Sequence, residues 1–163
     1  MLAAARNDID ARVVPIIDMA IADGIRVLHR VRSHAVSLAV HPDRVGLMGF
    51  SAGATLTVGL GLSAPCAICA DFLAPIYPHY RWVRDRPLAD DRPPMFLAVA
   101  AEDEFGFAGH AIELNQAWVK AGDRQELHIY SKGGHGFGMT QQGLTSDHWI
   151  EHFYNWLRTE SLL

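Results

Sequence analysis

At residues 44–53 the chain reads Arg-Val-Gly-Leu-Met-Gly-Phe-Ser-Ala-Gly. The apolar residues in its first half predict a short strand, and the small residues from Ala52 to Leu62 predict a helix. The Gly-x-Ser-x-Gly pattern between them is typical of a nucleophilic serine on a sharp strand-to-helix turn. Glycines on both sides of Ser51 are expected to leave room for the turn and for the passing helix. The same pattern also occurs in ordinary glycine-rich loops, so the context of Ser51 must support the assignment.

The composition is that of a globular protein, and we predict a single domain over residues 1–163. Half of the residues are apolar and a fifth are charged. A formal net charge of −4, with no cluster of Lys or Arg, argues against a nucleic-acid partner. No apolar run reaches the roughly 18 residues of a membrane span. The first residues do not form a signal peptide, so we expect a cytoplasmic location.

The two cysteines, Cys66 and Cys69, follow Pro65 and lead into a predicted strand. A redox pair normally opens a helix instead, and no second pair exists to complete a zinc site. We therefore predict buried, reduced thiols.

Strands and helices alternate along the rest of the chain. Helical spacing predicts a helix from Pro15, in its first turn, to about Ala39. The strand of the opening stretch is assigned to Val45–Met48 and is expected to be buried on both faces. Further strands are predicted at 67–74, 95–101 and 126–130, and further helices at 107–120 and 146–158. The aromatic and charged segment 77–94 is expected to lie over a binding site. This order predicts an α/β domain: a short parallel sheet with helices on both faces.

Three candidate catalytic residues each follow a different predicted strand: Ser51, Asp103 and His135. The carboxyl ends of parallel strands meet at one edge of a sheet, so these side chains are expected to lie together. A histidine can take the proton of a serine, and a carboxylate can orient the imidazole. Position alone leaves Glu102 and Glu104 as alternatives to Asp103.

The sequence resembles the esterase and lipase-like branch of the α/β-hydrolase superfamily, above all the small-molecule and acetyl-xylan esterases. It is also similar to prolyl-oligopeptidase-type domains. The matching blocks are residues 42–53, 93–103 and 133–138. The resemblance implies that Asp103 is the acid, although Gly106-Phe107 stands where a Val-Pro pair usually follows. Dienelactone hydrolases are similar too, but they carry cysteine at the nucleophile position. The serine at position 51 is therefore expected to exclude this family.

Members of the superfamily carry further strands at the front and a His-Gly-Gly-type loop that supplies one N–H group of the oxyanion hole. No such motif occurs before Pro15, so we expect a truncated α/β-hydrolase fold that keeps the Ala52 N–H as a donor. Loss of one donor can lower turnover by roughly 10²–10³. The strand before Ser51 should also lack one neighbour, and a bare edge predicts a homo-oligomer.

These features predict a serine hydrolase of short-chain acyl or acetyl esters with no cofactor or metal. The main alternative is an impaired remnant that serves as a binding or assembly module. A serine peptidase is a further alternative. A zinc hydrolase is suggested by His148 and His152, which form a His-x-x-Glu-His pattern but need a third ligand. The sequence does not determine acyl length, alcohol group or preference for esters over peptides.

Overall fold

The computed structural model of the chain describes residues 2–63, 70–87, 89 and 92–163. Within these residues, four strands form one parallel sheet whose order follows the sequence. The strands are β1 (Leu47–Phe50), β2 (Leu73–Ile76), β3 (Met95–Ala100) and β4 (Gln125–Tyr130). The predicted strands at 95–101 and 126–130 agree with β3 and β4. The Cys66–Cys69 prediction lies outside the described residues.

Helices cover both faces of the sheet, as predicted for an α/β fold. They are α1 (Leu2–Ser33), α2 (Ala35–Leu38), α3 (Ala52–Ser63), α4 (Phe107–Ala121) and α5 (Trp149–Thr159). Short 3₁₀ turns lie at Tyr80–Trp82 and Thr145–His148. In the described chain, no helix has both the length and the apolar character needed to cross a membrane.

The two faces of the sheet have separate cores, because side chains alternate along each strand. Helices α1, α3 and α4 pack on one face through a cluster that includes Ile21, Leu28, Val58, Leu97, Leu114 and Trp118. Helix α5 packs on the other face through a cluster that includes Ile76, Phe96, Trp149, Phe153 and Trp156. All six residues of β3 are fully buried. The loops that follow β3 and β4 therefore start from a rigid base.

The predicted start of the first helix is wrong, because α1 begins at Leu2 and contains Pro15 in its interior. Beyond Pro15 the helix buries Ile17, Ile21 and Leu28, which gives that part its apolar period. Before Pro15, Val13 packs against the same core, whereas Ile9 is 54 % exposed. The start at Pro15 was predicted because proline favours the first turn of a helix, but α1 accommodates Pro15 in its interior.

The prediction that the strand before Ser51 is Val45–Met48 and buried on both faces is also wrong. The strand is Leu47–Phe50, and its Met48 and Phe50 side chains are 40 % and 37 % exposed. The reason is position, since β1 pairs with β2 on one side and forms the edge of the described sheet. In its pattern of apolar residues, such a strand at a sheet edge is not distinguished from a central strand by the sequence alone.

Strand β2 ends later than the predicted strand 67–74, of which residues 67–69 lie outside the described residues and residues 70–72 are not in the strand. It spans Leu73–Ile76 and includes Pro75, where the sequence indicated that the strand should end. Proline is confined mostly to strand ends and edges because it cannot donate to the ladder. Here the flanking residues carry the pairing, with Leu73 opposite Met95 and Ile76 opposite Ala98.

Asp71 joins the end of α1 to the start of β1. One carboxylate oxygen, Oδ2, accepts the backbone N–H of Val45 at 2.6 Å and a guanidinium N–H of Arg32 at 2.9 Å. The N–H of Asp71 in turn donates to the Val45 carbonyl at 2.9 Å. These bonds fix the entry of β1 beside β2, on which the position of the following turn depends.

Replacing Asp71 with Ala should lower the free energy of unfolding by about 2 kcal/mol, because it removes the acceptor of one guanidinium N–H of Arg32 and of the backbone N–H of Val45. Urea unfolding of the variant and the wild type measures the difference. Asp23→Ala is the matched control, since Asp23 forms an exposed ion pair with Arg26 on the surface of α1. That control should change stability by less than about 0.5 kcal/mol. Equal effects of the two substitutions would contradict the role of Asp71.

Candidate active site

Ser51 lies at a strained turn between β1 and α3. Its φ is +52°, a left-handed conformation that is costly for a residue with a side chain. The Ser51 N–H donates to the Ile76 carbonyl of β2 at 3.1 Å. The Ser51 carbonyl accepts the N–H of Thr55 at 3.0 Å, in the first turn of α3. The strand and the helix together hold the serine in this conformation.

The two glycines around Ser51 have different roles. A Cβ atom on Gly49 would lie 2.3 Å from the backbone carbon and oxygen of Gly53, so strand and helix approach too closely for any side chain there. A Cβ atom on Gly53 would meet nothing within 4 Å. The expectation that both glycines make room holds for Gly49 and is wrong for Gly53, whose Cα faces open space.

The structure brings Ser51, His135 and Asp103 together. His135 Nε2 lies 2.8 Å from Ser51 Oγ, and His135 Nδ1 lies 2.8 Å from Asp103 Oδ2. The Asp103 side chain is fully buried, and its Oδ1 accepts the N–H of Phe105 at 2.9 Å. A buried carboxylate bonded in this way holds the imidazole in one orientation, with its other nitrogen against the hydroxyl. This geometry allows proton transfer from the serine to the histidine.

Three aromatic rings surround the His135 imidazole. Tyr77 belongs to the segment 77–94 that was expected over the site, whereas Phe105 and Phe107 were not identified from the sequence. Tyr77, Phe105 and Phe107 lie 4.9, 4.9 and 5.0 Å from it, between ring centroids, in edge-to-face arrangements. Tyr77 also has a positive φ of 43°, and burial raises the pKa of its hydroxyl. The sequence feature that could have pointed to these rings is the pair Gly106-Phe107, which stands where the families that this chain resembles carry Val-Pro.

Part of the segment 77–94 reaches the site, as expected. Tyr77 contacts His135. The ring centroid of His79 lies 3.9 Å from that of Trp82, in a tilted arrangement, and 5.2 Å from that of Phe107, edge to face. The Thr55 hydroxyl donates to the His79 carbonyl at 3.2 Å and so anchors the start of the segment to α3. Residues 88, 90 and 91 of the segment lie outside the described residues.

Ala52, the predicted oxyanion donor, is the first residue of α3. The N–H groups in the first turn of a helix have no acceptor within the helix, and they carry partial positive charge. An N–H at this place, next to Ser51, is suited to bind a developing negative charge.

The histidines of the His-x-x-Glu-His pattern have other partners. His148 contacts Glu151 at 3.2 Å, whereas His152 lies 2.8 Å from the Tyr130 hydroxyl and stacks on His128 at 4.7 Å. Burial lowers the pKa of His152 and raises the pKa of Tyr130 to about 12. No group of three potential metal ligands occurs among the residues that the structure describes. The pattern packs α5 against β4, and the geometry gives the zinc alternative no support.

Comparison with known proteins gives a family match over most of the chain. The sequence model of the dienelactone hydrolase family matches residues 7–161. An acetylxylan esterase of Xylanibacter ruminicola is 25 % identical, over 91 % of this chain and 36 % of that protein. The chain thus spans about a third of the length of this curated relative.

Solved structures show the same fold at low sequence identity. An acetyl ester-xyloside bifunctional hydrolase from Caldicellulosiruptor lactoaceticus matches with a TM-score of 0.77 at 20 % identity, over 88 % of this chain and 66 % of that one. An α/β-hydrolase enzyme from a deep-sea metagenome library matches with a TM-score of 0.75 at 22 % identity, over 85 % and 63 %. The four-stranded parallel sheet is therefore that of an α/β-hydrolase.

Gly49→Ala should prevent the native turn, because the new Cβ would overlap the Gly53 backbone rather than a flexible side chain. We expect either insoluble protein or a loss of stability of more than about 3 kcal/mol. Gly53→Ala is the matched control and should change stability by less than about 1 kcal/mol. Circular dichroism and thermal unfolding of both variants measure the difference. A stable, well-folded Gly49→Ala protein would show that the close approach is not required.

Proposed function

The chain belongs to the dienelactone hydrolase family, and we propose that it is a serine hydrolase of carboxylic esters. The observation that carries this proposal is the position of His135, 2.8 Å from both Ser51 Oγ and Asp103 Oδ2. The expectation that Ser51 excludes this family is wrong, because the match extends over nearly the whole chain and does not depend on the nucleophile alone. Serine and cysteine can both attack a carbonyl once a histidine activates them.

In the proposed reaction, Ser51 Oγ attacks the ester carbonyl while His135 Nε2 takes the hydroxyl proton. The C–O bond to the alcohol then breaks, and His135 returns the proton to the leaving alcohol. A water molecule, activated by His135, next attacks the acyl group and releases the carboxylic acid and free Ser51. Asp103 stabilises the imidazolium in both steps, and the Ala52 N–H stabilises the oxyanion.

We propose short-chain acyl or acetyl esters as the substrates. The name of the Xylanibacter ruminicola relative, an acetylxylan esterase, supports this class. The rings of Tyr77, Phe105 and Phe107 crowd the space beside His135, which also favours small acyl groups. A cytoplasmic location stays a prediction from the sequence.

The serine should react with a fluorophosphonate probe, and the protein should hydrolyse p-nitrophenyl acetate faster than longer esters. Ser51→Ala should abolish both reactions. Asp103→Asn should lower kcat by up to about 10⁴-fold, because the imidazole loses its orienting charge. Ser37→Ala is the control, since the Ser37 hydroxyl bonds only the His34 carbonyl on the surface and should leave both reactions intact.

Probe labelling that persists in Ser51→Ala would assign the reaction to another residue. Absence of labelling and of turnover in the wild type would favour the alternative of a binding or assembly module.

We further propose that the protein forms homo-oligomers through β1. The N–H groups of Leu47 and Ser51 donate to β2, so in a parallel ladder the backbone groups of Met48 and Phe50 point away from β2. The side chains of these two residues are also partly exposed and apolar. A strand edge with these properties favours pairing with a second chain.

Light scattering coupled to size-exclusion chromatography should give a mass of at least two chains of 18.0 kDa. Met48→Lys should shift the protein to the monomer, since a charge at the edge opposes pairing. Met19→Lys is the matched control, because Met19 is 63 % exposed on α1 and away from β1. A monomeric wild type, or equal effects of the two lysines, would contradict the proposal.

A further inference from the structure

Three consecutive acidic residues, Glu102, Asp103 and Glu104, bind the loop that carries His135. Asp103 contacts the His135 imidazole, as described above. Glu104 Oε2 accepts the backbone N–H of His135 at 2.9 Å, and Glu102 Oε1 accepts the backbone N–H of Gly133 at 3.2 Å. The segment after β3 therefore holds both the side chain and the backbone of the histidine.

The loop needs such contacts because its own backbone is unusually free. Gly134 and Gly136, on either side of His135, have φ values of +67° and +82°. Glycine at such positions populates many backbone conformations, so the sequence of the loop does not by itself fix where the imidazole points. The hydrogen bond that the imidazole donates to Asp103 restrains the ring, but the ring can pivot unless its Cα is also held.

Glu104 has the chemistry to provide this restraint. A carboxylate forms a stronger bond to a backbone N–H than a neutral acceptor does. The Glu104 carboxylate accepts its own N–H and that of His135, and these bonds lower its pKa below the ordinary value. The side chain is exposed, so its charge is screened and a long-range electrostatic effect on the site is small. Its contribution is therefore local and acts through the position of His135.

We propose that Glu104 is a positioning residue, whose hydrogen bond to the His135 backbone keeps Nε2 within reach of Ser51 Oγ. The inference rests on the proposed function. Displacing a catalytic group by about 1 Å can lower the rate by roughly 10²-fold. Because Glu104 acts on the base and not on the substrate, its loss lowers kcat and leaves KM unchanged.

The experiment compares Glu104→Ala with Glu104→Gln. The alanine variant should lose about 10- to 100-fold in kcat with p-nitrophenyl acetate, at unchanged KM. Amide hydrogen exchange at His135 should become faster, because its N–H has lost the acceptor. Glutamine keeps an oxygen at the same place, so it should restore most of kcat and the protection of the amide. Glu151→Ala removes the same charge from the surface of α5 and should behave as the wild type.

Two results would overturn the inference while the proposed function stands: normal kcat and amide protection in Glu104→Ala, or equal losses in the alanine and glutamine variants. Equal losses would mean that the charge matters and the acceptor does not. If the wild type shows neither turnover nor Ser51 labelling, the proposed function fails. Amide exchange at His135 then still decides whether Glu104 holds the loop.

Discussion

The contact between Gly49 and Gly53 is the constraint on which the site depends. A single hydrogen atom on Gly49 fits where a Cβ would lie 2.3 Å from the Gly53 backbone. Because strand and helix meet this closely, the chain has to turn at the single residue between them, and Ser51 adopts a φ of +52°. Hydrogen bonds to β2 and to the first turn of α3 offset the free-energy cost of that conformation. Both elements are rigid and have buried side chains. The serine is therefore partly exposed and fixed in one conformation at the same time.

The remaining residues of the site follow from strand register. Strands β3 and β4 pair in parallel from Met95 opposite Gln125 to Ala100 opposite Tyr130. Their carboxyl ends are therefore level, and the acidic segment after one lies beside the glycine-rich loop after the other. Register is strongly specified here, since a slip by one residue would turn the fully buried side chains of β3 to the wrong faces. The positions of Asp103 and His135 therefore depend on the buried core, because the core specifies the register of the strands that precede them.

The sequence predicted the sheet, the order of its elements and the residues that meet at its edge, because these depend on local patterns and on where strands end. The predictions from the sequence failed for features that depend on tertiary contacts. The start of α1 was misplaced because proline favours the first turn of a helix, whereas Pro15 lies inside α1. The exposure of Met48 and Phe50 reflects the place of β1 at the edge of the described sheet. The sequence placed Tyr77 in a segment over the site but did not place it against His135, 58 residues away in the chain, and it did not identify Phe105 or Phe107. The hydrogen bond of Glu104 could not be predicted either, because the sequence does not show which backbone N–H a surface glutamate accepts.

In the proposed reaction, activation of Ser51 and stabilisation of the oxyanion depend on different parts of the fold. The contacts between Ser51, His135 and Asp103 depend on β1, β3 and β4, all of which lie in the described sheet. The oxyanion side of Ser51 lies where β1 meets α3, next to the open edge of the sheet. A strand that paired with β1 would run along the edge that leads to Ser51. In the proposed oligomer, the second chain would therefore lie close to the turn that carries the serine.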